Sequence, residues 1–369
     1  MEDAQVIETS IDKLKKAYQR GSLALYLGAG VSVDSGLPTW ERLVLSMYFQ
    51  TNQDIFNETR SQPFPNYLFA ISEWLLKESS EPLDIITSRI KRHYRDRSPE
   101  EFYRLLKETL YSAYMEMGQT YNRSEYDLFR RNSTLEAVVK LCAGSVPGNT
   151  GVKTIISYNY DDLVERGLQL FDPAAEEKYK TIYHDEMRFD SSQIPIYHVH
   201  GYIPYDESPG SSLDDLIFSE ESYHKAAQNA YYWGNMVQMQ NLANNTGLMV
   251  GLSLSDRNIR RILNALISAP IATENYIIIK REKPEVPTSG EPAMDFIHNK
   301  AGKYLDKFSE AAMKTIGGKA DQFISRIIEI IMRNDEGMYQ EDFGELGLHL
   351  IPVDDYSRIG EIINDIHSN

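Results

Sequence analysis

Residues 22–44, Ser-Leu-Ala-Leu-Tyr-Leu-Gly-Ala-Gly-Val-Ser-Val-Asp-Ser-Gly-Leu-Pro-Thr-Trp-Glu-Arg-Leu-Val, constrain the fold more than any other stretch. Leu23–Leu27 is an unbroken apolar run, short enough for a strand and too short for a helix. It stops at Gly28-Ala29-Gly30, passes through a Ser/Gly/Pro turn and resumes as a helical pattern. A strand that enters a glycine turn and then a helix is a layout that binds a nucleotide phosphate. The glycines let backbone approach ligand, and the next helix offers free N–H groups and a positive dipole end. A plain tight turn is written with the same letters, so the rest of the chain has to decide.

Before this stretch, Val6, Ile7, Ile11 and Leu14 repeat at helical spacing over 5–20. After it, residues 43–146 read as helices only. Tyr67, Leu68, Ile71, Trp74 and Leu75 mark one, and Leu83, Ile86 and Ile90 a second. Ser98-Pro99-Glu100-Glu101 starts a third that runs to about Met117, with Ser as cap and Pro at the first position. Leu128 to Leu141 is a fourth. The α/β rhythm returns after the loop 144–149. Strand patterns at 154–158, 180–184, 194–199, 247–251, 275–280 and 346–353 alternate with helices at 161–170, 219–242, 255–266, where Ser255 and Asp256 read as caps, and 356–366. A Pro-rich loop from 282 to 292 and helices at about 294–315 and 319–334 separate the last two strands. Short apolar strands alternating with helices predict a doubly wound, mostly parallel Rossmann-like α/β sheet. On this reading residues 1–42 and 147–369 form the sheet domain, and 43–146 an all-helical insertion.

Ligands of open α/β sheets bind beyond the carboxyl ends of the strands. The first strand is followed there by Gly28-Ala29-Gly30-Val31-Ser32, and the second by Asn159-Tyr160-Asp161. The strand at 194–199 is followed by His200-Gly201, and that at 247–251 by Leu252-Ser253. Each has a plain structural reading: Asn159 or Asp161 caps the following helix, and His200 is a satisfied loop histidine. All four together point to a site.

These residues resemble the sirtuin family. Gly28-Ala29-Gly30-Val31-Ser32 with Ser35-Gly36-Leu37-Pro38 is similar to its cofactor loop, and Asn159-Tyr160-Asp161 to its Asn-x-Asp motif. His200-Gly201 is similar to its His-Gly motif, and Gly251-Leu252-Ser253 to its Gly-Thr-Ser. The resemblance implies an NAD site. Gly28, Ala29, Gly30 and Ser32 would cradle the diphosphate, and Thr39 and Trp40 would stand near the nicotinamide. Asn159 and Asp161 would orient the ribose and a water, and His200 would be the general base. Gly201 and Gly251 would shape the pocket, and Ser253 would hold the adenosine half. A side chain at Gly30 should then block the diphosphate and spare the fold. The departures matter as well. The single cysteine, Cys142, cannot build the four-cysteine zinc module of deacylating sirtuins, so no zinc is expected. Glu41 stands where that family's loop carries Arg. A helical insertion in place of the zinc module resembles the bacterial antiphage branch, whose members degrade NAD. From that resemblance follow expectations of a homo-oligomer and of a phage-sensing partner such as a DNA-translocating ATPase.

Composition narrows the alternatives. A net charge of -16 argues against direct nucleic-acid binding and against an anionic membrane surface. No run reaches membrane-spanning length, and the first residues lack the basic and apolar parts of a signal peptide, so the cytoplasm is expected. No His/Asp/Glu spacing suggests a metal. His198, two residues before His200 on the same face of an extended segment, reads as packed inside. Cys142, in an apolar helical pattern, reads as a core residue. The resemblance thus implies an NAD glycohydrolase, with a deacylase or ADP-ribosyltransferase, or a non-catalytic NAD or ADP-ribose module, as rivals.

Overall fold

Strand β1 (Leu23–Leu27) lies in the middle of a parallel sheet, flanked by β2 (Val152–Ser157) and β5 (Thr246–Val250). The computed structural model describes residues 2–51, 71, 74, 82–95, 98–121, 125–206, 210–229, 231–254, 256–269, 273–281, 326 and 341–367. Among these, β3 (Tyr179–Ile182), β4 (Ile194–His198), β6 (Asn275–Lys280) and β7 (Leu348–Val353) complete a seven-stranded sheet of order β3-β4-β2-β1-β5-β6-β7. Every strand pair is parallel. The sheet is the expected Rossmann-like α/β architecture, parallel throughout the described residues.

Helices cover both faces of the sheet, and the strand letters show it. Leu23, Leu25 and Leu27 join a core that includes Leu14 and Tyr18 of α1 (Glu2–Gln19) and Ile359 and Ile363 of α12 (Ser357–His367). Ala24 and Tyr26 point the other way by period two and are just as buried. Each fully buried leucine contributes about 1.5–3 kcal/mol. On that second side lie α10 (Trp233–Asn244) and α11 (Arg257–Ile267), the latter burying Ile259, Ile262, Leu263 and Leu266.

Between β1 and β2, the described residues from 40 to 143 form α2 (Trp40–Thr51), α3 (Leu83–Arg95), α4 (Pro99–Tyr121), α5 (Glu125–Arg131) and α6 (Ser133–Ala143). The helix expected over residues 67–75 lies outside the described residues apart from Ile71 and Trp74. The single helix expected over 128–141 is two. Asn132 breaks it by accepting the Leu135 N–H and capping α6, at 3.0 Å. The helix expected over 219–242 is likewise two, α9 (Glu220–Gln228) and α10, parted at Asn229–Tyr232. Helix α7 (Leu163–Phe171) and the short α8 (Ala175–Lys178) connect β2 to β3.

Residues 1–280 with 346–369 form one compact unit, and 281–345 form a second. The sequence reading places 1–42 and 147–369 in one sheet domain, with 43–146 as an insertion. The loop and helices expected over 282–334 lie outside the described residues, except Arg326. Among the described residues, no helix is long and apolar enough to cross a membrane.

Candidate functional site

The chain reverses its direction of strand addition at β1. Strands β2, β4 and β3 are added on one side and β5, β6 and β7 on the other. A crevice opens at such a switch point, beyond the carboxyl ends of the two strands. The glycine loop is there. Gly28 donates its N–H to Val250 O at 2.9 Å, and Gly30 donates to Gly251 O at 3.0 Å. The loop is thereby stitched to the turn after β5.

The glycines also serve the packing of the protein itself. A Cβ built on Gly30 would lie 2.8 Å from Gly251 Cα, and one on Gly28 would lie 2.5 Å from Gly251 O. Gly251 itself has φ 68, and its Cβ would meet Val31 N at 2.6 Å. The three glycines let two loops pack backbone against backbone. A side chain at Gly30 therefore strikes the protein itself, which corrects the expectation that it would spare the fold. Within the loop, Ala29 is half-exposed, and its N–H has no partner among the described residues.

Asn159 and Asp161 meet this loop through Ser32. Asn159 Nδ2 donates to Gly28 O at 3.1 Å and to Ser32 Oγ at 3.3 Å. Ser32 Oγ donates to the Asp161 carboxylate at 3.1 Å. Asp161 Oδ1 also accepts the Leu163 N–H at 3.2 Å, so it serves the start of α7 as well. All three side chains are buried. Burial pushes the Asp161 carboxyl up to about 7, against the hydrogen bonds from Leu163 and Ser32. The adjacent Asp162 is pushed up to about 6, again by burial first.

Those two carboxyls predict a stability profile. A carboxyl with a raised pKa holds its proton more tightly in the folded chain than in the unfolded one. Its stabilising share is present while the folded form is protonated and is lost as pH rises from about 4 through about 7. The parent is expected to lose about 2–4 kcal/mol between pH 5 and pH 8 from this source. Thermal melts across that range should show a shallower slope for Asp161→Asn; an equal slope would contradict the assignment.

His198 and His200 leave the end of β4 in different surroundings. His198 is buried, with Nδ1 3.0 Å from Asn159 O and Nε2 2.8 Å from Glu165 Oε1. Burial lowers its pKa, but Glu165 and the bond to Asn159 raise it more, so the net direction is up. With both nitrogens donating, it holds the Asn159 backbone in place. His200 is buried between the rings of Tyr158 and Tyr223, with centroids 5.2 and 5.6 Å away. Its Nε2 stands 3.3 Å from Asp256 Oδ2. Burial lowers its pKa, and Asp256 opposes that. A histidine held neutral near pH 7 can accept a proton.

The remaining expected residues lie near the ends of the same strands, on the segments after β1, β4 and β5. Thr39 Oγ1 accepts the Arg42 N–H at 3.4 Å and so caps α2. Trp40, half-buried, packs edge-on to Phe218 at 5.2 Å and tilts against Tyr160 at 6.4 Å. Gly201 has φ 110, and a Cβ there would lie 2.4 Å from the Leu216 side chain. Ser253 is exposed on the loop after β5.

Residues 153–301 match the family model of the SIR2-like domain. SIR2-like domains bind NAD and are usually enzymes. The glycine loop precedes the matched stretch and joins it through the pairing of β1 with β2 and β5. No curated protein matches the chain. Among the described residues, no group of three or more His, Cys, Asp or Glu side chains is placed to hold a metal ion.

Three residues that hold the candidate site together carry no such role in the sequence reading. Asn132, fully buried, donates to Val31 O at 2.7 Å and to Ser35 Oγ at 2.9 Å, tying α6 to the glycine loop. Tyr111 of α4 lies 2.9 Å from Asp162 Oδ1 and 2.8 Å from Ile203 O. Asp256 was read as a helix cap alone. An Asn after Arg130-Arg131 and before an apolar run was the available signal for the first. Asn132→Ala is expected to cost about 2–4 kcal/mol, from the lost cap and the orphaned Val31 carbonyl. Urea unfolding measures it, and a cost below about 0.5 kcal/mol would show the tie to be idle.

Proposed function

We propose that this chain is an NAD glycohydrolase that converts NAD and water to ADP-ribose and nicotinamide. The observation that carries the reading is the buried Asn159–Ser32–Asp161 set, bonded to the glycine loop at the switch point. Water attacks the ribose carbon. The carbon–nitrogen bond breaks with its electron pair going to the nicotinamide ring, and the water proton passes to His200. The leaving group is neutral, and the transition state resembles an oxocarbenium ion, so nearby negative charge stabilises it. Asp161 supplies that charge when ionised, and Asn159 positions the ribose. Ala29 N–H offers a donor to a diphosphate oxygen. Trp40 places an aromatic edge at the rim.

Hydrolysis without an acyl-lysine substrate is favoured by the single cysteine and by Glu41 in the loop. We extend the reading to an effector that depletes cytoplasmic NAD in bacterial antiphage defence. The resemblance and the helices described between β1 and β2 support it, and a homo-oligomer with a phage-sensing partner such as a DNA-translocating ATPase fits the same role. Incubating the full chain with NAD, with and without an acylated peptide, tests the chemistry. Equal amounts of nicotinamide and ADP-ribose without peptide are expected. Nicotinamide only with peptide would mean a deacylase. NAD binding with no nicotinamide would mean a binding module.

A further inference from the structure

The pair His200–Asp256 joins the loop after β4 to the start of α11. His200 follows β4 and Asp256 follows β5, and these strands are separated in the sheet by β2 and β1. Three strand spacings amount to about 14 Å. The two loops must therefore arch toward each other over the ends of β2 and β1 to bring the imidazole and carboxylate within 3.3 Å. The turn after β5 is shaped for this reach. Gly251 has φ 68 and Leu254, a buried leucine, has φ 53. A leucine in that region is strained, and strain of this kind persists where the surroundings enforce it.

Asp256 divides its two oxygens between two tasks. Oδ1 accepts the Asn258 N–H at 2.6 Å and caps α11. Oδ2 faces His200. Nε2 of His200 is buried and has no hydrogen-bond partner among the described residues, so the carboxylate is near but not yet aligned. Catalytic hydrogen bonds are often long before substrate binds and tighten with it. The groups facing the imidazole are Tyr158 after β2, Tyr223 on α9 and Asp256 at α11. Both tyrosines have pKa values raised by burial and stay neutral, so Asp256 carries the charge that acts on the ring.

We propose that Asp256 is a positioning residue for His200: it takes the Nε2 proton side of the imidazole and leaves Nδ1 to receive the proton of the attacking water. The inference rests on the reading of His200 as general base. During the reaction Nδ1 gains the water proton, Nε2 keeps its own, and the resulting imidazolium is balanced by the Asp256 carboxylate. The plain alternative is that Asp256 only caps α11.

Asp256→Asn and Asp256→Ser separate the two, because Asn and Ser cap helices about as well as Asp while removing the charge. Nicotinamide release is expected to fall about 10²-fold or more. The carboxylate raises the imidazole pKa, so its removal is expected to move the acid limb of the rate profile to lower pH. The His200 ring proton, followed by NMR in the full chain, should titrate at correspondingly lower pH. The NMR arm needs no turnover. If the parent releases no nicotinamide, the glycohydrolase reading fails, and the His200 titration still judges the pair. If the parent turns over and His200→Ala does not, yet both Asp256 variants keep the parent's rate and pH limb, the pair is overturned and the reading stands. A lower rate with an unmoved limb and an unmoved His200 titration also overturns it, since that is what a structural cap would give.

Discussion

His200→Ala is expected to bind NAD within a few-fold of the parent and to release nicotinamide about 10²–10⁴-fold more slowly, the usual contribution of a positioned general base. The ring lies between Tyr158 and Tyr223, and truncating it leaves both tyrosines and the Asp256 cap of α11 in place. Binding should survive because the proposed diphosphate contacts come from the loop at Ala29, not from β4. Asn159→Ala should slow release similarly. It also frees the Gly28 carbonyl and the Ser32 hydroxyl, so some loss of stability is expected alongside. Calorimetry for affinity and a nicotinamide assay for rate settle the matter. Undiminished turnover in His200→Ala would move the base elsewhere, and His198, bonded to Glu165 and to the Asn159 carbonyl, would be the first to test.

The second large effect belongs to the glycine contact. Gly251→Ala is expected to destabilise the fold by about 3–5 kcal/mol, and Gly148→Ala by about 1 kcal/mol. Both glycines have positive φ, 68 and 73. They differ in surroundings. A Cβ on Gly148 meets nothing within 4 Å, whereas one on Gly251 meets Val31 N at 2.6 Å and Gly30 C at 2.9 Å. The Gly148 variant thus reports backbone strain alone, and the difference between the two reports the collision. Gly30→Val, whose φ is unexceptional, should suffer the collision without the strain. Equal urea midpoints for the two alanine variants would show that the loops part easily.

Much of the architecture was legible because the strands are buried on both faces and so read as continuous apolar runs. Leu23–Leu27, Ile155-Ile156 and Tyr276–Ile278 have few other ways to be satisfied. The helix breaks were not legible. Residues 128–141 carry an unbroken apolar period, and it is a tertiary demand, the amide of Asn132 reaching Val31 and Ser35, that ends one helix and starts another. Asn159 and Asp161 were found because their type and position after a strand carry chemistry. Asp256 was not, since its local role as a cap already accounted for it, and His200 lies far away in sequence. The structural demand on Gly30 was not legible for a related reason. A glycine beside a ligand and a glycine beside another loop look alike until the second loop is in view.

The central place of β1 has a consequence for how the chain reaches this state. Leu23 pairs with Val152 on one side and with Thr246 on the other, partners roughly 130 and 220 residues further along. At ordinary rates of synthesis, about 5–20 residues per second, the second partner arrives roughly 10–45 s after β1 has been made. Until then a strand with five apolar side chains has an open edge on at least one side. Such edges recruit other chains. Yield in the cell should therefore depend on whatever shields residues 23–27 during that interval, and overexpression should fail first by aggregation of newly made chains rather than by unfolding of finished ones.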